Sequence, residues 1–199
     1  MSAVHSSPGL DAVPWPVTTE RLTLRRPAVA VSADADAVWA YRRLPEVGEW
    51  LGWHPVDHAD FVAGWEERLG QAVLVERDGE VIGDLMIRPS DAWGQREVAQ
   101  QARGTEAELG WSFAPWAHGH GYATEAVRAL IGVCFGPLGL RRVVAGAFLE
   151  NEPSWRLMER VGLRRESVSR KDSLHRTRGW SDGVQYALLA EEYRQGSEA

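Results

Sequence analysis

The order of elements along this 199-residue chain predicts an α/β protein: one mixed sheet covered by helices. Three observations carry that expectation. "AVLVERDGEVIGDLMI" sets two β-rich runs around Asp78-Gly79, a pair that accepts the positive φ angles of a tight hairpin turn. "AELGWSF" alternates as a strand and hands over, through "APWAHGHG", to a segment of helical periodicity. "RRVVAGAFL", "NEPSWRLMERVG" and "GVQYALL" then supply a strand, a helix and a closing strand.

Taken in order, residues 1–17 are rich in Ser, Pro and small side chains and are expected to trail loosely, leaving 18–199 as a single domain. "RLTLRR" sets Leu22 and Leu24 against Arg21, Thr23 and Arg25, the alternation of a first strand. "SADADAVWAYRRL" offers Ser32 as an N-cap and places Asp34 and Asp36 in a first turn, where the helix dipole favours carboxylates. "DFVAGWEERLG" spaces Phe61, Val62, Trp65 and Leu69 along one helical face and stops at Gly70. Between these helices lies the aromatic segment "GEWLGWHP", with Trp50 and Trp53. "RPSDAWGQREVAQQARGT" is polar and unpatterned and reads as a long exposed loop. In "AELGWSF", Glu108, Gly110 and Ser112 share one face, and Leu109, Trp111 and Phe113 the other. The helix after the glycines carries Val127, Leu130, Ile131, Cys134 and Phe135 as a buried stripe. In the last helix Asn151 stands near the cap, Pro153 in the first turn and Gly162 just past the end.

Composition narrows the function. The apolar fraction of 44% and charged fraction of 25% are those of a soluble globular protein. A net charge of -6 argues against nucleic acid as a partner, and suits a cationic or amine-bearing substrate. Cys134 is the sole cysteine, which excludes an internal disulfide and a four-cysteine zinc site. The first residues lack a basic stretch followed by an apolar run, and nothing approaches the roughly 20 apolar residues of a membrane span. The chain therefore reads as cytoplasmic, with no membrane partner. No metal site is expected either: His54 and His58 are interrupted by Pro55 and lack a third ligand, and His118 and His120 suit phosphate or solvent better.

The chemistry concentrates in "HGHGYATE". A helix N-terminus offers unpaired N–H groups and the positive end of a dipole, and Gly119 and Gly121 let the backbone approach an anion without a Cβ in the way. A plain turn needing positive φ is the alternative. A dinucleotide fingerprint would need a third glycine where Thr124 stands, and a Walker A loop would need Gly-Lys-Ser/Thr. Neither fits.

"ELGWSFAPWAHGHGYATEAV" followed by "LRRVVAGAFLENEPSWRLMERVGLRRE" resembles the central region of the GNAT superfamily of acetyl-coenzyme-A-dependent N-acetyltransferases, in the branch similar to ribosomal-protein N-terminal acetyltransferases. "TERLTLRRP" and "GWSDGVQYALLAEEY" resemble that branch's opening and closing strands. The resemblance implies a mostly antiparallel mixed sheet with splayed middle strands and helices on both faces. It also implies that backbone groups at Trp111, Ser112 and Phe113 pair with the pantetheine arm of acetyl-coenzyme A. The loop of His118, Gly119, His120, Gly121, Tyr122, Ala123 and Thr124 would hold the diphosphate, and Asn151 would reach the pantetheine or adenylate side. His118 stands where the family has Gln or Arg. Met158 stands where many members have a tyrosine that protonates the departing thiolate, so Ser154 is the candidate for that role, beside its place near the cofactor. Glu108 is the candidate general base, since a carboxylate can accept the amine proton directly or through water. Trp53 and Asp182 are candidates for the acceptor side. The family also suggests a homodimer. The expected activity is acetyl transfer to a primary amine, of a protein N-terminus or a small molecule, by direct attack in a ternary complex. A non-catalytic acyl-coenzyme-A sensor of the same fold is the rival.

Overall fold

The computed structural model describes residues 9–28 and 32–197. Among the described residues, eight strands form one sheet in the order β1-β2-β3-β4-β5-β6-β8-β7, accompanied by six α-helices. The described residues fall into two compact units, each discontinuous in sequence: 14–28, 32–87 and 110–129 in one, and 9–13, 88–109 and 130–197 in the other. The sequence suggests a single domain over 18–199, and the division passes through two strands, β4 (Glu80–Ser90) and β5 (Glu106–Phe113), and a helix, α4 (Tyr122–Phe135), which both units share. No helix among the described residues is long and apolar enough to cross a membrane.

The first unit begins with β1 (Val17–Thr18) antiparallel to β2 (Thr23–Arg25), which pairs with β3 (Ala72–Arg77), which pairs with β4 (Glu80–Ser90). The β3–β4 turn is the expected one, with Asp78 at φ 52° and Gly79 at φ 82°. Val73, Leu74 and Val75 of β3 are all fully buried, as in a strand covered on both faces. Helices α1 (Ser32–Arg42), α2 (Pro45–Gly48) and α3 (His58–Arg68) lie between β2 and β3 in the chain. Ser32 is the first helical residue rather than the cap, and the cap position lies outside the described residues. Asp34 answers to more than the dipole. Its carboxylate takes both arms of Arg25 at 2.7 and 2.9 Å and the Ala28 N–H at 2.8 Å, tying α1 to β2. A second carboxylate, Asp84 of β4, is buried and accepts hydrogen bonds from Tyr41 Oη (2.8 Å) and Arg42 Nη2 (2.5 Å).

In the other unit, β5 (Glu106–Phe113) runs parallel to β6 (Arg142–Phe148), β6 pairs antiparallel with β8 (Gly179–Leu189), and β8 pairs antiparallel with β7 (Arg164–His175). Registered pairing of β5 with β6 is confined to Glu106↔Arg142, Ala107↔Val143 and Glu108↔Val144, although both strands continue well past it. That early parting is the splay implied by the family resemblance. Helix α4 (Tyr122–Phe135) buries Val127, Leu130, Ile131 and Cys134 completely, and Phe135 packs on Tyr193 of α6 (Ala190–Ser197) at 5.2 Å. Helix α5 (Glu152–Arg160) has Asn151 at its N-cap position and Gly162 at φ 94° beyond its end.

Two expectations change. Of the segment expected to trail, residues 1–8 lie outside the described residues, but Leu10 and Val13 are buried, because each supplies apolar area to the core. The stretch expected as a long exposed loop is exposed over most of its length, but it begins as the end of β4 and then folds on itself. It contains a 3-10 turn at Ala99–Ala102, and Asp91 accepts the Gly104 N–H at 2.7 Å while Ala92 N–H donates to Ala102 O at 3.0 Å.

Candidate active site

The glycine loop is built at the end of β5. A 3-10 turn at Pro115–Ala117 leads into His118, whose Nε2 sits 3.2 Å from the Phe113 carbonyl. Gly119 and Gly121 follow at φ 79° and 80°, a backbone shape that L side chains rarely adopt. A Cβ on Gly119 would meet nothing within 4 Å, so the space above the loop is open. His118 through Gly121 are exposed, whereas Tyr122 is buried. The first main-chain bond of the helix runs from Glu125 N–H to Gly121 O at 3.1 Å. Among the described residues, no protein acceptor takes the N–H groups of Gly119 to Thr124. Such a run of unpaired donors, leading into the first turn of a 14-residue helix whose dipole is positive there, is a site for a phosphate-sized anion.

Side chains outside the loop complete it. Glu125, in the first turn of α4, accepts hydrogen bonds from Thr19 Oγ1 (2.6 Å), Arg21 N–H (2.9 Å) and Arg21 Nε (2.7 Å). Arg21 also donates through Nη1 to the His120 carbonyl at 3.0 Å. Burial works against the Glu125 charge, but these donors win and hold its carboxyl below its ordinary value. The guanidinium groups of Arg21 and Arg77 lie 4.8 and 5.0 Å from the Tyr122 ring centre. Sequence reading placed Tyr122 in the loop but missed Thr19, Arg21, Arg77 and Glu125 as parts of the site. Arg21 shows there only as the polar half of a strand alternation, and its partners stand about a hundred positions away.

Ser112 sits in the same unit, on β5. It is buried, and its Oγ has no hydrogen-bond partner. An unpaired buried hydroxyl costs about 1–3 kcal/mol, so a partner outside the protein is called for. Trp111 is half-buried and Phe113 buried on the opposite strand face, Phe113 lying against Gly83, where a Cβ would come within 2.5 Å of its ring. Trp53 stacks flat on Phe61 (6.1 Å, 5°), with the Arg68 guanidinium 4.6 Å from its ring. A Cβ on Gly64 would lie 2.6 Å from it. These contacts make Trp53 a packing residue of α3.

The remaining expected residues belong to the other unit. Glu108 forms an ion pair with Arg88, both partly exposed. Asn151 makes no side-chain cap bond, which leaves its amide for other partners, and Ser154 donates its N–H to Asn151 O at 3.1 Å. Met158 is buried and holds no acidic proton. Asp182 accepts the N–H of Lys171, a residue at φ 51° in the irregular stretch of β7, so its carboxylate supports that turn. Tyr186 is buried, accepting from Arg165 Nε (2.6 Å) and donating to Glu159 (2.8 Å). The described residues hold no group of three or more His, Cys, Asp or Glu able to bind a metal ion.

Comparison with known proteins identifies the family and the fold. The family model for the acetyltransferase (GNAT) domain matches residues 21–164. The uncharacterized N-acetyltransferase p20 of Bacillus licheniformis is 29% identical over 185 residues, covering 88% of this chain and 96% of the relative. The uncharacterized N-acetyltransferase YnaD of Bacillus subtilis is 38% identical over 86 residues, 43% of this chain and half (50%) of that protein. Among solved structures, an acetyltransferase (GNAT family) from Bacillus anthracis superposes with a TM-score of 0.74 at 27% identity, covering 88% of this chain and 99% of the other. Mycobacterium smegmatis RimJ in complex with CoA-disulfide shares the fold at a TM-score of 0.67 and 24% identity, over 89% and 88% of the two chains. With the family profile spanning most of its length and the fold matched by solved members, this chain belongs to the GNAT family of acetyltransferases.

Proposed function

We propose that the protein transfers the acetyl group of acetyl-coenzyme A to a primary amine, on a protein N-terminus or a small molecule, by direct attack in a ternary complex. The observation that carries this reading is the run of free main-chain donors from Gly119 to Thr124, beside the orphaned Ser112 hydroxyl on the adjoining strand. The donors fit a diphosphate, and a buried hydroxyl without a partner fits the polar pantetheine arm. When bound, acetyl-coenzyme A supplies the thioester carbonyl that the amine attacks.

The chain's own residues divide the remaining work. His118 to Thr124 bind the diphosphate, while Trp111, Ser112 and Phe113 offer β5 to the pantetheine arm. Asn151 contributes its uncapped amide. Glu108 accepts the proton the amine releases, with Arg88 fixing one carboxylate oxygen and leaving the other to a substrate or a water. Ser154 supplies a proton to the departing sulfur, a role the buried Met158 does not fill. Trp53 and Asp182 stand as acceptor-side candidates behind their packing roles. A homodimer in the cytoplasm completes the proposal.

Acetyl-coenzyme A should raise the melting temperature, and a panel of amines should release free thiol from it. Glu108→Gln should lower the maximal rate by roughly 10²- to 10⁴-fold, with coenzyme A affinity unchanged. Tight coenzyme A binding without turnover on any amine would instead mark the chain as a sensor.

A further inference from the structure

We propose that Arg21 is a positioning residue that locks the His120–Gly121 peptide with its N–H toward the anion site. The inference rests on the diphosphate reading of that loop. A trans peptide is planar, and its C=O and N–H point in opposite directions. Arg21 Nη1 holds the His120 carbonyl at 3.0 Å, so the Gly121 N–H of the same peptide faces away from Arg21. Nothing local enforces this orientation. A flip of this peptide turns ψ of His120 and φ of Gly121, and Gly121, at φ 80°, is a glycine that rotates with little steric resistance, so the flip would be easy in the loop alone. The flipped loop would present a carbonyl oxygen to the phosphate in place of a donor.

Arg21 is well held for this task. Glu125 takes its Nε at 2.7 Å, its Nη2 at 2.6 Å and its backbone N–H at 2.9 Å, and Thr19 Oγ1 donates to the same carboxylate at 2.6 Å. The guanidinium lies 4.8 Å from the Tyr122 ring centre, which restrains its plane. One planar fork therefore spans the carboxylate on α4 and the carbonyl of the loop. A lysine ammonium on a flexible stem does not reproduce a two-ended bond of this kind.

The test measures coenzyme A binding by calorimetry for the wild type, Arg21→Ala and Arg21→Lys, with melting curves for each. Dissociation constants should rise roughly 10-fold or more in both variants, the loss of a charge-assisted hydrogen bond. Wild-type affinity in Arg21→Lys would show that positive charge alone suffices, and would overturn the lock, as would unchanged affinity in Arg21→Ala. The wild type supplies a measurement independent of variant folding. Saturating coenzyme A should move the Gly121 amide proton downfield in an ¹H–¹⁵N spectrum, and a Gly121 amide that stays put while its neighbours shift overturns the proposal. A wild type that binds no coenzyme A refutes the diphosphate reading itself, a separate result.

Discussion

Gly119→Ala isolates the contribution of loop geometry to cofactor binding. The added methyl meets no atom within 4 Å, so the cost comes from the backbone alone, at φ 79°. Left-handed φ costs an L residue about 1–2 kcal/mol. For a chain of this size each kcal/mol lowers Tm by about 2–4 °C, so the fall should be about 2–8 °C if the loop keeps its shape. If the loop instead relaxes toward negative φ, Tm recovers, but the donors turn. Losing one charge-assisted bond to phosphate, about 1.5–3 kcal/mol, weakens coenzyme A roughly 10- to 150-fold. Gly162→Ala is the matched control, with φ 94° and an equally open Cβ position beyond the end of α5. Differential scanning fluorimetry with and without coenzyme A reads both effects. Gly162→Ala should lose stability but keep the whole ligand-induced shift, and Gly119→Ala should lose stability, the shift, or part of each. A Gly119→Ala protein with wild-type Tm and an undiminished shift would refute the reasoning.

Asp84→Ala leaves the Arg42 guanidinium and the Tyr41 phenol without their shared buried acceptor and should cost about 3–5 kcal/mol in urea unfolding. The Asp34 carboxyl is held below its ordinary 3.8 by hydrogen bonds from Arg25 that outweigh burial. Its lowered folded pKa contributes stability that is present above about pH 4 and lost as pH falls through the folded value. Asp34→Asn should accordingly be less stable at neutral pH and flatten the acid limb of the unfolding curve. Burial pushes the Cys134 thiol up to about 12, so a thiol reagent at pH 8 should label it only on unfolding, and rapid labelling of the folded protein would contradict the packing of α4.

What was legible in the sequence was local. Asp78-Gly79 announced its hairpin because turn chemistry sits in adjacent residues, and the α4 stripe because helical periodicity repeats within two turns. Strand β7 escaped notice because it is almost wholly exposed and pairs with β8 alone, so "RRESVSRKDSLH" carries no apolar alternation. The two residues of β1 are too few to show a period. At the candidate site, the glycines could be read from their place between a strand and a helix. Arg21 and Thr19 could not, since what gives them meaning is a carboxylate more than a hundred residues downstream. Trp53 and Asp182 drew attention through the family resemblance, but their contacts come from the packing around Gly64 and from the Lys171 turn, which only three dimensions reveal.

Because β4, β5 and α4 are each shared between the two compact units, neither unit exists as an uninterrupted stretch of chain. A truncation ending at residue 87 would strand the first unit without residues 110–129, and one starting at residue 130 would deprive the second of 88–109. Half-length fragments should therefore express as insoluble or unfolded polypeptide, and anyone wishing to divide this molecule would do better to co-express two pieces and ask whether they reassemble.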